Sequence, residues 1–233
     1  MNDHRALPDH PQVGYVASFE ELVAARFSGN INALCWPRRL VGDFGEVVAA
    51  LGPGDGVVTL DEELLASLPL GQAGRAAASV MLDDLRLLRD RQLDPVLNCI
   101  HAYPRDAEDA VVATDVMSFH VDSAPVEADT WLCTYHGAPS EGIANAEALR
   151  KIDHPAIRAA LLGEFGGADD ADFADYLGDA CYDLHYTALP GANPYSFGLF
   201  NLWRIATLHP GSSVLPCIHR APTTPAARLL LIS

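Results

Sequence analysis

Four residues, Phe119-His-Val-Asp122, carry the chain's clearest chemical signal. In a strand, residues two apart project from one face, so His120 and Asp122 point together while Val121 faces away. One imidazole nitrogen and one carboxylate oxygen then converge on a point, and a third ligand from a distant strand completes a facial set. Two histidines and a carboxylate with open positions are the arrangement suited to mononuclear non-haem iron(II). His219 is the candidate third ligand. An isolated H-x-D recurs by chance, so its surroundings must carry the rest of the case.

Other residues invite the same weighing. Asp183 and His185, in Tyr182-Asp-Leu-His-Tyr186, form a second pair at strand spacing and are the rival metal site; the plainer reading of His185 is a hydrogen-bonded structural residue. His136 could orient a ligand, whereas His101, His154 and His209 are expected on the surface or in turns. Trp203 is expected to pack, and Arg204 beside it could meet an acidic substrate. Two histidines and an aspartate could equally hold zinc as a Lewis acid in a hydrolase, although no H-E-x-x-H helix supports that. A binding or sensor protein that keeps the ligands without turnover is a third reading. Gly137-Ala-Pro-Ser-Glu-Gly142 places one residue too many before its serine for a nucleophile elbow, and Gly52-Pro-Gly-Asp-Gly56 lacks the Lys-Ser/Thr of a phosphate loop.

The elements that must position these groups follow from capping and periodicity. Residues 1–17 read as an arm. Ser18-Phe-Glu-Glu21 and Thr59-Leu-Asp-Glu62 fit the capping box and predict two short helix starts. Val80, Leu82, Leu85 and Leu88 recur at helical spacing within 72–91, and Asn32 to Trp36 reads as a strand. After Pro95 the pattern turns to strands at 96–100, 117–121 and 130–135, then to a helical insertion over about 145–190, then to strands at 197–207, 213–218 and 227–232. The expected organisation is one α+β domain: a mainly helical part at 18–94 and a core at 95–233 that holds the insertion.

With 31 acidic against 15 basic residues, the net charge of −16 repels phosphate backbones and anionic membranes, so no nucleic-acid or membrane partner is expected. Five cysteines without a C-x-x-C pair imply neither a disulfide framework nor a zinc ribbon, and they read as reduced thiols. No secretory signal pattern opens the chain and no apolar run reaches membrane-spanning length, so a cytoplasmic location is expected.

The motif context resembles the Fe(II)/2-oxoglutarate dioxygenase superfamily, in which H-x-D on one strand of a double-stranded β-helix (jelly-roll) core is followed by a distal histidine and then a basic residue. His219-Arg-Ala-Pro-Thr-Thr-Pro-Ala-Ala-Arg228 fits that ending, and Asn98-Cys-Ile-His-Ala-Tyr103 looks like the strand that leads into the metal motif. The chain also resembles a bacterial family, the DUF1826 type, through Phe119-His-Val-Asp122, Leu132-Cys-Thr-Tyr-His-Gly137 and Ile218-His-Arg-Ala-Pro222. These stretches lie within 95–137 and 198–232, about a third of the chain. His219 lies 97 positions (219 − 122) beyond Asp122, a span the insertion would absorb. The resemblance implies iron(II) held by His120, Asp122 and His219, with 2-oxoglutarate and dioxygen as co-substrates. Arg228 would grip the far carboxylate of 2-oxoglutarate, with Arg220 and Arg204 as competitors. Tyr103 and Tyr135 either donate a hydroxyl to it or pack. The implied reaction is hydroxylation of a small molecule, amino acid or peptide side chain, with release of succinate and carbon dioxide.

Overall fold

The computed structural model describes residues 7–107, 109–224 and 226–233. The segment expected as an arm ends in a strand, β1 (Val13–Tyr15), which is drawn into a sheet by parallel pairing with β2 (Ala33–Trp36). Between them lies α1 (Phe19–Ala24): the Glu21 amide donates to the Ser18 hydroxyl, and the Glu21 carboxylate accepts from the Ala17 amide. Asp43 caps α2 (Phe44–Leu51) by accepting from the Glu46 amide. The helix expected from Thr59 starts later, because Thr59 belongs to β3 (Val57–Thr59) and pairs with Asn98. Asp61 then caps α3 (Glu62–Ser67) by accepting from the Leu64 amide, an acceptor as good as threonine at that position. The long amphipathic helix is α4 (Gln72–Arg89), with Ala77, Met81, Leu85 and Leu88 buried along one stripe.

Downstream come β4 (Val96–Ile100), β5 (Phe119–His120), β6 (Asp129–His136) and β7 (Glu141–Ile143). β5 is shorter than the expected 117–121 because the Asp115 carboxylate takes the Met117 and Ser118 amides into a turn. The insertion is only partly helical: β8 (Ala148–Arg150), α5 (Pro155–Phe165) and α6 (Ala171–Asp179) are followed by β9 (His185–Ala188), and β8 pairs with β9. β10 (Tyr195–Ser196), β11 (Leu202–Ala206), β12 (Ile218–Arg220) and β13 (Arg228–Ile232) complete the chain. Two expected strands are trimmed. Positive φ at Gly198 (68°) and Phe200 (72°) breaks the first before β11, and Pro216, lacking an N–H, keeps most of 213–218 off the ladder.

The result is an α+β fold with two sheets and, among the described residues, six α-helices. The first sheet runs β1-β2-β11-β6-β13-β4-β3 and the second β10-β7-β12-β5-β9-β8. One core, including Leu22, Val47, Met81, Leu85, Trp131 and Tyr135, fills the space between the first sheet and α1–α4. A second joins the sheets: Leu132, Trp203 and Leu230 from the first meet Tyr195, Phe197 and Cys217 beside the second. α5 and α6 bury Leu161, Phe173 and Leu177 in a smaller core with Ile152 and Val112. No helix of the described residues is long and apolar enough to cross a membrane.

Candidate metal centre

Alternation along β5 sorts its neighbours as the spacing requires. Phe119 and Val121 are buried with Ile143 and Ile218 on the outer side of the second sheet, leaving His120 and Asp122 on the inner side. Antiparallel pairing of β5 with β12 places His219 directly opposite His120, closing the long sequence gap by register alone. Gly142 lies on the other side of His219, and a side chain there would strike Tyr195 and Phe197, the latter stacked beside the imidazole with ring centroids 6.5 Å apart.

His120, Asp122 and His219 therefore converge. Their ligand atoms all lie within 4.8 Å of one another. His120 Nε2 is 3.8 Å and His219 Nε2 3.7 Å from the Asp122 carboxylate oxygens, and the two rings are 4.5 Å apart. Metal–ligand bonds of about 2.1 Å put cis ligands roughly 3 Å apart, so a bound ion requires the three groups to draw in by less than about 1 Å. The other ring nitrogens are already committed. His120 Nδ1 donates to the Ser118 carbonyl at 2.8 Å and His219 Nδ1 to the Cys217 carbonyl at 3.2 Å. That tautomer leaves both Nε2 lone pairs facing the shared point, the usual device for orienting ligating histidines. The Thr130 hydroxyl holds Asp122 Oδ2.

The charge states suit a cation. Burial, with His219 adding to it, pulls His120 down to about 4, so it is neutral at pH 7 despite the pull of Asp122 the other way. Burial would raise the Asp122 carboxyl, but His219, the Thr130 hydroxyl and His120 outweigh it and hold the group below its usual value.

Arg228 opens β13 on the inner side of the first sheet and is 2% exposed. It donates to the hydroxyls of Tyr103 (2.8 Å), Thr134 (2.8 Å) and Ser140 (2.7 Å), while its buried Nε has no partner. Among the described residues no carboxylate pairs with it. Burial lowers its affinity for its proton, and Tyr103 offsets part of that. The contrast with the other internal arginines is direct. Arg38 meets Asp84 through two bonds of 2.6 and 2.8 Å. Arg204 meets Asp129 at 2.7 Å and caps the carbonyls of Leu22, Val23 and Ala25. Arg220 donates to Glu141 and lies 4.4 Å from the Phe119 ring, on the outer side of the second sheet. Of the three arginines weighed for an anion, Arg204 and Arg220 are thus already neutralised. A cavity of about 200 Å³ opens onto Arg228, Tyr103 and Ile100 from one side and Met117, Pro222 and Thr224 from the other.

Tyr103 joins the Arg228 cluster, but Tyr135 does not. It sits on the opposite face of β6 and donates to Asp84 at 2.6 Å within the helix-side core. His136 lies against Gly45 of α2 and orients no ligand. Trp203 packs, its indole donating to the Phe197 carbonyl at 2.7 Å. His154 is half-buried in the turn that leads into α5. His185 is buried in β9 directly opposite His120, with ring centroids 5.7 Å apart. It is not among the three converging ligands, and its partner in the rival pair, Asp183, lines a separate groove with Ser123 and Leu208. Burial, reinforced by Lys151, pulls His185 down to about 4.

Thr130, which bonds Asp122, and Thr134 and Ser140, which bond Arg228, were passed over by motif reasoning. For the two threonines the signal was present in Asp129-Thr-Trp-Leu-Cys-Thr-Tyr-His136, where they alternate with bulky residues and so face inward with Leu132.

Comparison with protein-family models, with curated proteins and with solved structures returned no match. The family resemblance therefore rests on the motifs, and the chemistry on the arrangement just described.

Proposed function

We propose that this chain is an iron(II)- and 2-oxoglutarate-dependent oxygenase that hydroxylates an unactivated carbon of a small molecule, amino acid or peptide side chain. The observation that carries the reading is the buried Arg228, ringed by three hydroxyls and lacking a carboxylate, in the same interior as a His-Asp-His facial set. A buried cation without an anion is unfavourable by several kcal/mol, and a dicarboxylate ligand resolves that cost. The strand order supports a double-stranded β-helix core, since β11-β6-β13-β4 and β10-β7-β12-β5 form two facing four-strand layers between which the chain alternates, except that β7 and β10 follow one another in the second layer. β1–β3 widen one layer and β8–β9 the other.

In this reading His120, Asp122 and His219 hold the metal. Arg228 makes paired charge-assisted hydrogen bonds to the far carboxylate of 2-oxoglutarate, and Tyr103, Thr134 and Ser140 set the guanidinium plane. Thr130 keeps one Asp122 oxygen occupied so that the other faces the ion. Bound iron(II) would supply the redox step, in which dioxygen and 2-oxoglutarate yield succinate, carbon dioxide and a hydroxylated product. A carboxylate at position 122 favours hydroxylation over halogenation. Five unpaired thiols, four of them buried, suit the reducing cytoplasm that ferrous iron needs.

The test is succinate formation from 2-oxoglutarate by iron-loaded and zinc-loaded protein. Slow iron-dependent succinate release, lost in His219→Ala, is expected even without added substrate. Hydrolytic activity with zinc and no succinate with iron would replace this reading with a zinc hydrolase.

A further inference from the structure

His185 is the unexplained polar group next to the centre. It is 5% exposed, and its Nδ1 is fully buried with no hydrogen-bond partner among the described residues. Leaving such a group unsatisfied costs about 1–3 kcal/mol, which a structural histidine would normally avoid by bonding a carbonyl, as His120 and His219 do. Its position is set by register. β12, β5 and β9 are neighbours, so His219, His120 and His185 form one row of imidazoles across three strands on one face. The anion anchor lies at the other end of that row, because Ser140 immediately precedes β7, the strand on the far side of β12. Arg228 and His185 therefore flank the ligand set from opposite sides.

We propose, building on the oxygenase reading, that His185 is a positioning residue: it hydrogen-bonds the small dipolar or anionic ligand that occupies the metal's open position away from Arg228. That position is where dioxygen, or a polar group of the substrate beside it, would arrive. A neutral imidazole supplies one N–H donor there without adding charge.

Azide serves as the probe, titrated spectroscopically into cobalt(II)-loaded protein, with 2-oxoglutarate binding measured separately by calorimetry. His185→Phe should weaken azide about 5- to 10-fold, the loss of one hydrogen bond. His185→Gln, which can still donate, should stay within about 3-fold of the parent. Affinity for 2-oxoglutarate should stay within about 2-fold in both, since its anchor is on the opposite flank. Unchanged azide affinity in His185→Phe overturns the proposal, and so does a parallel loss of azide and 2-oxoglutarate in both variants, which signals general damage. Should the parent bind cobalt and azide but not 2-oxoglutarate, the oxygenase reading fails while the azide comparison still judges His185.

Discussion

Arg228→Met separates a structural arginine from one held for a ligand. In the native fold the guanidinium forms three hydrogen bonds to neutral hydroxyls at 2.7–2.8 Å and leaves Nε unbonded. Hydrogen bonds to a charged group contribute about 1.5–3 kcal/mol each, while the effective desolvation penalty of a buried ion is several kcal/mol. The two nearly cancel. Methionine preserves much of the volume and packs against Ile100 and Leu230, and the three hydroxyls can bond one another or water. The expected change in unfolding free energy is therefore small, within about 1.5 kcal/mol in either direction. The expected change in 2-oxoglutarate affinity is large, because losing a desolvated charge partner costs about 3 kcal/mol, or roughly 100-fold. Urea unfolding and calorimetric titration of 2-oxoglutarate on the same preparation read both quantities. A variant destabilised by more than about 3 kcal/mol that binds 2-oxoglutarate as tightly as the parent would refute the anchor and make Arg228 a core strut.

The two tyrosines should part company: Tyr103→Phe is expected to weaken 2-oxoglutarate several-fold by calorimetry, whereas Tyr135→Phe should leave binding unchanged and lower stability by about 1 kcal/mol. Asp84→Ala strands Arg38 in the helix-side core and should cost about 3–5 kcal/mol in a denaturant melt without altering metal affinity. Thr130→Val frees Asp122 and should weaken metal binding about tenfold in a chelator competition. For the metal-free protein, His120 and His185 are each pulled to about 4 from 6.5. Between those values the unfolded chain takes up protons that the fold refuses, so stability is full above pH 6.5 and falls on acidification, by up to about 1.4 kcal/mol per pH unit per histidine. A urea midpoint that stays flat from pH 6.5 to 4 would contradict that burial.

Much of this site was legible in the residues, and for one reason: strand alternation is rigid. His-x-Asp in a strand can present only one joint face, and the Phe and Val between and before the ligands had to go outward. The pairing partner was less legible. Nothing local in Ile218-His-Arg220 dictates that it faces β5, which is a matter of register between segments almost a hundred positions apart. Tyr135 was ambiguous for a similar reason, since its face depends on which neighbours of β6 point inward. The insertion misled because Ala148–Arg150 and His185–Ala188 are short beside the helical signals between them, and they become strands by pairing with each other and with β5. Arg228 was preferred over Arg220 and Arg204 on motif order alone, and the physical distinction came only with the carboxylates found on the other two.

The most direct measurement is an anaerobic titration of iron(II)-loaded protein with 2-oxoglutarate, followed in the visible region. A weak charge-transfer band saturating at one equivalent, absent from Asp122→Ala and shifted to higher concentration in Arg228→Met, is the predicted result. Iron binding without any such band, or a band undiminished when Asp122 is removed, would contradict the account.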